Sequence, residues 1–175
     1  PLHGVLVNPE IPQNTGNIAR MCAATGAVLH LVGELGFDTD EKAVRRAGLD
    51  YWHLVRVVEH ADFDACLAAI GGPEPLLFAT SAARSYLDAP YAPGSVLVFG
   101  RESVGLPDAL LERYAARQYG IPMRRGSVRS LNLANAVAIV LFTALVRLLD
   151  ATDPASGLRA LTGRHGERQR QRPDP

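Results

Sequence analysis

Short apolar runs and helix-patterned stretches alternate along this chain, and that rhythm restricts its fold more than any other feature. Leu2 to Val7 reads as a strand ended by Asn8-Pro9, after which Asn14-Thr15 supplies cap chemistry for a helix reaching about Thr25 and closed by Gly26. Val28 to Val32 is the next strand, and Asp38 to Asp40 caps a short helix ending near Gly48. Leu54 to Val58, Leu76 to Thr80 and Val96 to Phe99 follow as strands. Between them a helix over Ala61 to Ile70 stops at Gly71-Gly72, and Pro107 opens another at its first position. Gln118 to Met123 is a last extended segment, and Leu131 to Leu149 is the longest helical pattern. Strands alternating with helices predict an α/β fold with a mostly parallel sheet flanked by helices.

The chain's 175 residues suit one such domain, and 47% hydrophobic against 21% charged residues exclude a disordered or coiled-coil protein. Eighteen basic and eighteen acidic residues cancel overall, but residues 1–100 carry 6 basic against 11 acidic while 101–175 carry 12 against 7, which hints at one cationic face. Seventeen of the eighteen cations are arginine, whose planar donor fork suits phosphate. A GC-rich coding sequence produces the same bias, so the arginines alone assign no partner. From Gly157 onward five arginines and little hydrophobicity read as a flexible basic tail. Cys22 and Cys66 stand alone, which argues against a disulfide framework or a thiolate zinc site and for a reducing compartment. With five scattered histidines and no ligand spacing, no metal is expected. No basic n-region followed by an apolar h-region opens the chain, and the apolar run Ala136 to Val146, with Thr143 inside it, is too short for a membrane span of about 20 residues. A cytoplasmic protein without membrane partners is the expectation.

In open parallel sheets ligands bind beyond the carboxyl ends of the strands, and three segments there are unusual. The first, Asn8-Pro9-Glu10-Ile11-Pro12-Gln13-Asn14-Thr15-Gly16-Asn17-Ile18-Ala19-Arg20, is a polar loop feeding a helix. Its asparagines also fit as ordinary caps, and Arg20 as a surface cation. The second, Phe99-Gly100-Arg101-Glu102-Ser103-Val104-Gly105-Leu106-Pro107, has two glycines five apart that let a ligand approach the backbone. It lacks both G-x-G-x-x-G and G-K-[ST], which tells against a dinucleotide enzyme or a P-loop. The third runs from Ile121-Pro122-Met123 through Arg124, Arg125 and Arg129 to Ser130-Leu131-Asn132-Leu133-Ala134-Asn135-Ala136, placing cations and small polar groups before a long apolar helix. Such a loop can hold an anion through guanidinium groups and helix N-terminal amides.

Together, and in this order, the three segments resemble the signature motifs of the SPOUT class of RNA methyltransferases, in its 2′-O-ribose branch. The resemblance covers about residues 3–149, read as N-P-x-x-x-x-N-x-G-N-x-x-R, F-G-x-E-x-x-G-L-P, and I-P-M followed by S-L-N-L-x-N-A-V. Lys42-Ala43-Val44-Arg45-Arg46-Ala47-Gly48-Leu49-Asp50-Tyr51 is similar to a segment of the TrmL-type members, minimal enzymes that methylate the wobble ribose of certain tRNAs.

The resemblance implies an α/β domain over 1–155 with a C-terminal deep trefoil knot, an exception to the rule that chains are unknotted, followed by the basic tail 156–175. It implies a homodimer acting on tRNA rather than DNA, with S-adenosyl-L-methionine as methyl donor to the ribose of nucleotide 34, a cytidine or uridine. Thr80, Gly100, Ile121, Ser130 and Leu131 would then hold the cofactor, so a bulky residue at Gly100 should block it. Asn14, Arg20, Glu102, Ser130 and Asn132 take the family's catalytic positions. A guanidinium is a poor base, so Arg20 is expected to orient the ribose and stabilise the developing alkoxide, with Glu102 fixing Arg20 or Asn14 in place. Arg45, Arg46, Arg84, Arg124, Arg125 and Arg129 are candidates for RNA phosphate. Arg84 is the nearest cation where many relatives carry a lysine soon after the strand at 76–80. The alternatives are 2′-O-methylation at another site, in rRNA or elsewhere in tRNA, and a non-catalytic knotted RNA-binding module.

Overall fold

The computed structural model describes residues 1–40, 42 and 51–152, apart from the side chains of Asp150 and Thr152. Its strands are β1 (His3–Val7), β2 (Val28–Val32), β3 (Val57–His60), β4 (Leu76–Phe78), β5 (Val96–Phe99) and β6 (Gln118–Tyr119). They form one sheet in the order β3-β2-β1-β5-β4-β6, and every pairing is parallel. Its helices are α1 (Pro12–Thr25), α2 (Phe63–Ile70), α3 (Asp108–Arg113) and α4 (Leu133–Thr152).

Both faces of the sheet are covered, which is why the strands read as nearly continuous apolar runs. On one face Leu6, Leu29, Leu31, Leu97 and Phe99 pack with Ile18 and Cys22 of α1 and with Val137, Val140, Leu141 and Ala144 of α4. On the other, Val5, Val7, Val32, Leu77, Val96 and Val98 pack with Phe63 and Cys66 of α2 and with Leu106, while Leu110 and Leu111 of α3 close the edge. β2 and β5 coincide with the expected runs. Gly26, at φ 72°, supplies the left-handed residue that ends α1 just before β2.

Several boundaries move, each for a local reason. α1 starts at Pro12 with Ile11 in the cap position, so Asn14 lies inside the first turn and its side chain is turned to another purpose. The expected strand from Leu54 instead begins with a 3-10 turn, Trp52–Leu54, closed by Leu54 N–H donating to Tyr51 O at 2.9 Å; β3 follows it. Leu54 is 60% exposed, so this apolar residue never joins the core. β4 ends at Phe78 because the chain turns at once, Ala82 N–H reaching Ala79 O at 3.2 Å. The last extended segment is strand only at Gln118–Tyr119, after which the chain leaves the sheet. Pro107 caps α3 instead of occupying its first turn. Asn132 caps α4, its Oδ1 accepting from Ala134 N–H at 2.9 Å and Asn135 N–H at 3.3 Å, so that helix begins two residues later than expected. The expected helix ending near Gly48 and the basic tail lie outside the described residues, apart from Lys42.

Three histidines far apart in sequence meet on the face covered by α2. Val5 pairs with His30 and His30 with Val58, so His3, His30 and His60 step diagonally over three strands. His3 Nδ1 lies 2.9 Å from His30 Nε2, and His30 Nδ1 lies 2.9 Å from His60 Nε2. Burial, aided by the neighbouring histidines and Arg56, pushes His30 down to about 4, so the row is neutral at physiological pH.

Candidate functional site

The turns that leave β4, β5 and β6 converge on a cleft of about 740 Å³ at the carboxyl ends of those strands. Ala79, Thr80 and Ser81 form one wall, Gly100 to Leu106 a second, and Ile121, Met123 and Arg129 to Leu133 a third. Phe78 and Phe99, stacked with ring centroids 5.1 Å apart and an interplanar angle of 17°, lie at its floor. Flat apolar surface below and small polar groups with free backbone at the rim suit an adenosyl group, and the volume falls in the usual range of about 300–1,000 Å³.

Gly100 is required by the wall it belongs to. The chain turns back so tightly that Arg101 N–H donates to Gly105 O at 3.3 Å and Gly105 N–H to Arg101 O at 2.9 Å, with Gly105 at φ 74°. A Cβ on Gly100 would stand 2.0 Å from Gly105 C and 2.2 Å from Leu106 N. Glycine is therefore needed here for the loop itself.

Glu102 fastens this wall to the start of α1. Its Oε2 accepts from Glu10 N–H at 2.8 Å, and its Oε1 accepts from Ile11 N–H at 3.0 Å and Asn14 Nδ2 at 3.2 Å. Asn14, only 6% exposed, accepts through Oδ1 from Asn132 Nδ2 at 2.9 Å. One chain of hydrogen bonds thus joins the loop after β5, the first turn of α1 and the cap of α4, segments 88 and 118 residues apart. A second clamp runs the other way. The Glu10 carboxylate accepts from Ser103 N–H at 3.2 Å and Ser103 Oγ at 2.7 Å, with Arg101 Nη1 at 3.8 Å. Nothing in the spacing of Asn8-Pro9-Glu10 announces that partner 93 residues away.

Thr80, Gly100, Ile121, Ser130 and Leu131 all line the cleft, as do Asn14, Glu102, Asn132 and Arg129. Arg20 does not. It is exposed on α1, with its guanidinium carbon 4.7 Å from the centroid of the Tyr51 ring, and Glu102 holds Asn14 rather than Arg20. Arg84 lies over the Tyr119 ring at 4.7 Å and donates to Ala116 O, which ties it to the β6 edge of the sheet. Arg124 and Arg125 are exposed on a turn outside the cleft, closed by Ser127 Oγ donating to Arg124 O at 2.6 Å. Arg45 and Arg46 lie outside the described residues. Cys22 and Cys66 are buried free thiols, and burial pushes Cys22 up to about 12 and Cys66 up to about 11. Among the described residues no helix is long and apolar enough to cross a membrane.

Comparison with known proteins matches this geometry to one group. A model of the SpoU rRNA Methylase family matches residues 1–142. The chain is 49% identical over 144 residues to the tRNA (cytidine(34)-2'-O)-methyltransferase of Burkholderia pseudomallei (strain 1106a), over 80% of this chain and 91% of that protein. A solved structure described by its insights into the 2-OH methylation of C/U34 on tRNA has a TM-score of 0.74 and 44% identity, over 82% of this chain and 93% of that one. An AdoMet-bound rRNA methyltransferase from Sinorhizobium meliloti has a TM-score of 0.67 and 28% identity, over 82% of this chain and 55% of that one.

Proposed function

The chain belongs to the SpoU rRNA methylase family, and on that footing we propose that it methylates the ribose 2′-hydroxyl of nucleotide 34, a cytidine or uridine, in tRNA. The observation that carries this reading is the 49% identity, over 91% of its length, to a tRNA (cytidine(34)-2'-O)-methyltransferase. The cleft supports it, because the residues at its three walls suit S-adenosylmethionine. When bound there, S-adenosylmethionine supplies an electrophilic sulfonium methyl.

The protein's part is to bring a ribose hydroxyl into line at about 3 Å and to exclude misaligned encounters. The Asn14–Glu102–Asn132 chain holds the three walls in fixed relation, so the hydroxyl meets a preorganised site. In this reading Arg20, exposed and outside the cleft of its own protomer, meets the tRNA and stabilises the developing alkoxide. A guanidinium keeps its proton in proteins, so Arg20 acts by charge and orientation. Arg129 at the rim, with the exposed Arg124 and Arg125, offers phosphate contacts.

Residues 1–155 are the catalytic domain in this reading, with 156–175 as a basic arm toward RNA. The knot follows the family: the stretch from Ile121 to Asn132, which shares the cleft with the loop after β5, is the part that threads. A homodimer is supported by α4, on which Phe142 and Val146 are 43% and 42% exposed one turn apart. Isolated apolar groups are common at surfaces, but a helical stripe of them calls for a partner. Phe142→Asp is expected to convert the dimer to monomer in sedimentation velocity and to remove most activity; an unchanged sedimentation coefficient would place the interface elsewhere. A tRNA substrate, as named for the Burkholderia pseudomallei relative, supports action in the cytoplasm.

The direct test is transfer of labelled methyl from S-adenosylmethionine to bulk tRNA from a strain lacking wobble-ribose methylation, followed by nucleoside mapping. A 2′-O-methyl pyrimidine at position 34 is expected, and Arg20→Ala should lower kcat/KM by about 10²–10³-fold while leaving cofactor affinity intact. Transfer to rRNA with none to tRNA would favour the activity named for the Sinorhizobium meliloti protein. Cofactor binding with transfer to neither RNA would leave a binding module.

A further inference from the structure

Away from the cleft, His30 of β2, His60 of the edge strand β3 and Cys66 of α2 each offer one ligating atom, and these atoms all lie within 4.8 Å of one another. We propose that these three side chains form a binding site for a divalent transition-metal ion, with zinc as the physiological candidate. Two imidazoles and a thiol without a carboxylate are a soft, nitrogen-rich donor set that discriminates against magnesium and calcium and suits zinc or cobalt.

The surroundings favour ligation in two ways. Cys66 is fully buried and His30 is 4% exposed, so two donors are held by packing on well-ordered elements, while His60 is partly exposed at the edge of the sheet and opens a path for an ion and a fourth, water ligand. His30 Nδ1 lies 2.9 Å from His60 Nε2, and His30 Nε2 lies 2.9 Å from His3 Nδ1. A metal-bound histidine characteristically donates its other N–H to an acceptor that fixes its tautomer, and His3 is placed to be that acceptor. Arg56, near enough to act on His3 and His30, opposes a bare dication, so the Cys66 thiolate is needed for the balance of charge.

Without metal, each neutral histidine of the row carries one ring proton, one of these lying between His30 Nδ1 and His60 Nε2 and that of His3 on Nε2, and Cys66 Sγ carries a further proton. On binding, His30 carries its proton on Nε2 toward His3, His60 carries its proton on Nδ1, and the Cys66 thiol releases its proton to solvent. The site changes from neutral to a single positive charge, with one proton released per ion. Zinc bonds of about 2.0–2.3 Å in tetrahedral geometry require His60 Nε2 to swing away from its 2.9 Å contact with His30 Nδ1 and all three donors to turn toward the ion, a motion open to the partly exposed His60.

The test is titration of tag-free, chelator-treated full-length protein with cobalt(II), followed by absorbance. One equivalent is expected to give a near-ultraviolet thiolate-to-cobalt band together with intensified visible bands of a four-coordinate ion, both abolished by zinc. Cys66→Ala should remove the thiolate band and weaken affinity at least tenfold, and His3→Ala should weaken it by about 10–100-fold with the thiolate band retained. Methyl transfer by Cys66→Ala should stay at the wild-type rate, since Cys66 does not line the cleft. His60→Ala, at the exposed end of the row, gives a second loss-of-ligand variant where Cys66→Ala perturbs packing. No saturable binding, or binding without a thiolate band that survives in both Cys66→Ala and His60→Ala, would overturn the proposal.

Discussion

Gly100→Ala is expected to weaken S-adenosylmethionine binding by at least about 100-fold and to abolish methyl transfer, the largest effect of any single methyl group added to this protein. Cores commonly absorb an added methyl at a cost of about 1–3 kcal/mol because neighbouring side chains move aside. Here the neighbours are backbone: the new Cβ would meet Gly105 C at 2.0 Å and Leu106 N at 2.2 Å. Neither can move alone, because Gly105 is bonded in both directions to Arg101 and Leu106 is buried against the sheet. The loop as a whole must therefore open, and with it the wall of the cleft that carries Glu102. A loss of about 100-fold corresponds to about 2.7 kcal/mol, well within the cost of rebuilding such a turn. Calorimetric titration of the variant with S-adenosylmethionine, beside a thermal melt, separates the local effect from unfolding. Near-wild-type affinity in the alanine variant would show that the loop relaxes freely and that Gly100 is dispensable to the cleft.

The parts of the fold visible in the sequence are those decided by local chemistry. Val28 to Val32 and Val96 to Phe99 were legible as strands because each is a short β-branched and apolar run with turn residues at its ends. Where a residue's partner is remote, local chemistry misleads. Asn14 has the composition of a cap, yet its amide is held by Glu102 and Asn132 on other elements, and α1 begins at Pro12 with no side-chain cap. Leu54 belongs to an apolar run, but its backbone closes a turn before the strand begins. The cleft was legible for a different reason. Parallel topology sends the segments after β4, β5 and β6 to one end of the sheet, so residues chosen for lying beyond strands converge there. Arg20 stands about one and two-thirds turns further along α1 than Asn14, and helical geometry carries it to the Tyr51 side. The histidine row was invisible because its members are 27 and 30 residues apart, and only the diagonal register of β1, β2 and β3 brings them together. Glu10 likewise reveals its role only when the loop after β5 is folded against it.

Glu102→Gln should lower kcat/KM by about 30–100-fold, although it preserves the shape of the side chain. The reason lies in the number and kind of partners. Both oxygens of Glu102 accept, Oε2 from the Glu10 amide and Oε1 from the Ile11 amide and Asn14 Nδ2. Every partner is a donor, so a glutamine can serve one side only. With its oxygen toward Ile11 and Asn14, its NH2 faces the Glu10 N–H, donor against donor; turned round, it opposes two donors instead. Charge-assisted hydrogen bonds contribute about 1.5–3 kcal/mol each, and the loss of one such bond plus the added repulsion corresponds to the stated factor, at about 1.4 kcal/mol per tenfold. The effect should appear in kcat more than in the KM for tRNA, since the loosened walls impair alignment of the hydroxyl rather than contact with phosphate. Glu10→Gln provides the contrast: its carboxylate accepts from Ser103 but also meets Arg101 at 3.8 Å in an exposed pair worth little, and a glutamine oxygen can still accept from Ser103 Oγ. A milder loss, at most about tenfold, is expected there. If Glu102→Gln turned over at the wild-type rate, the carboxylate would not be what holds the loop after β5 to α1, and alignment of the site would have to come from the Gly100 turn and the Asn132 cap alone.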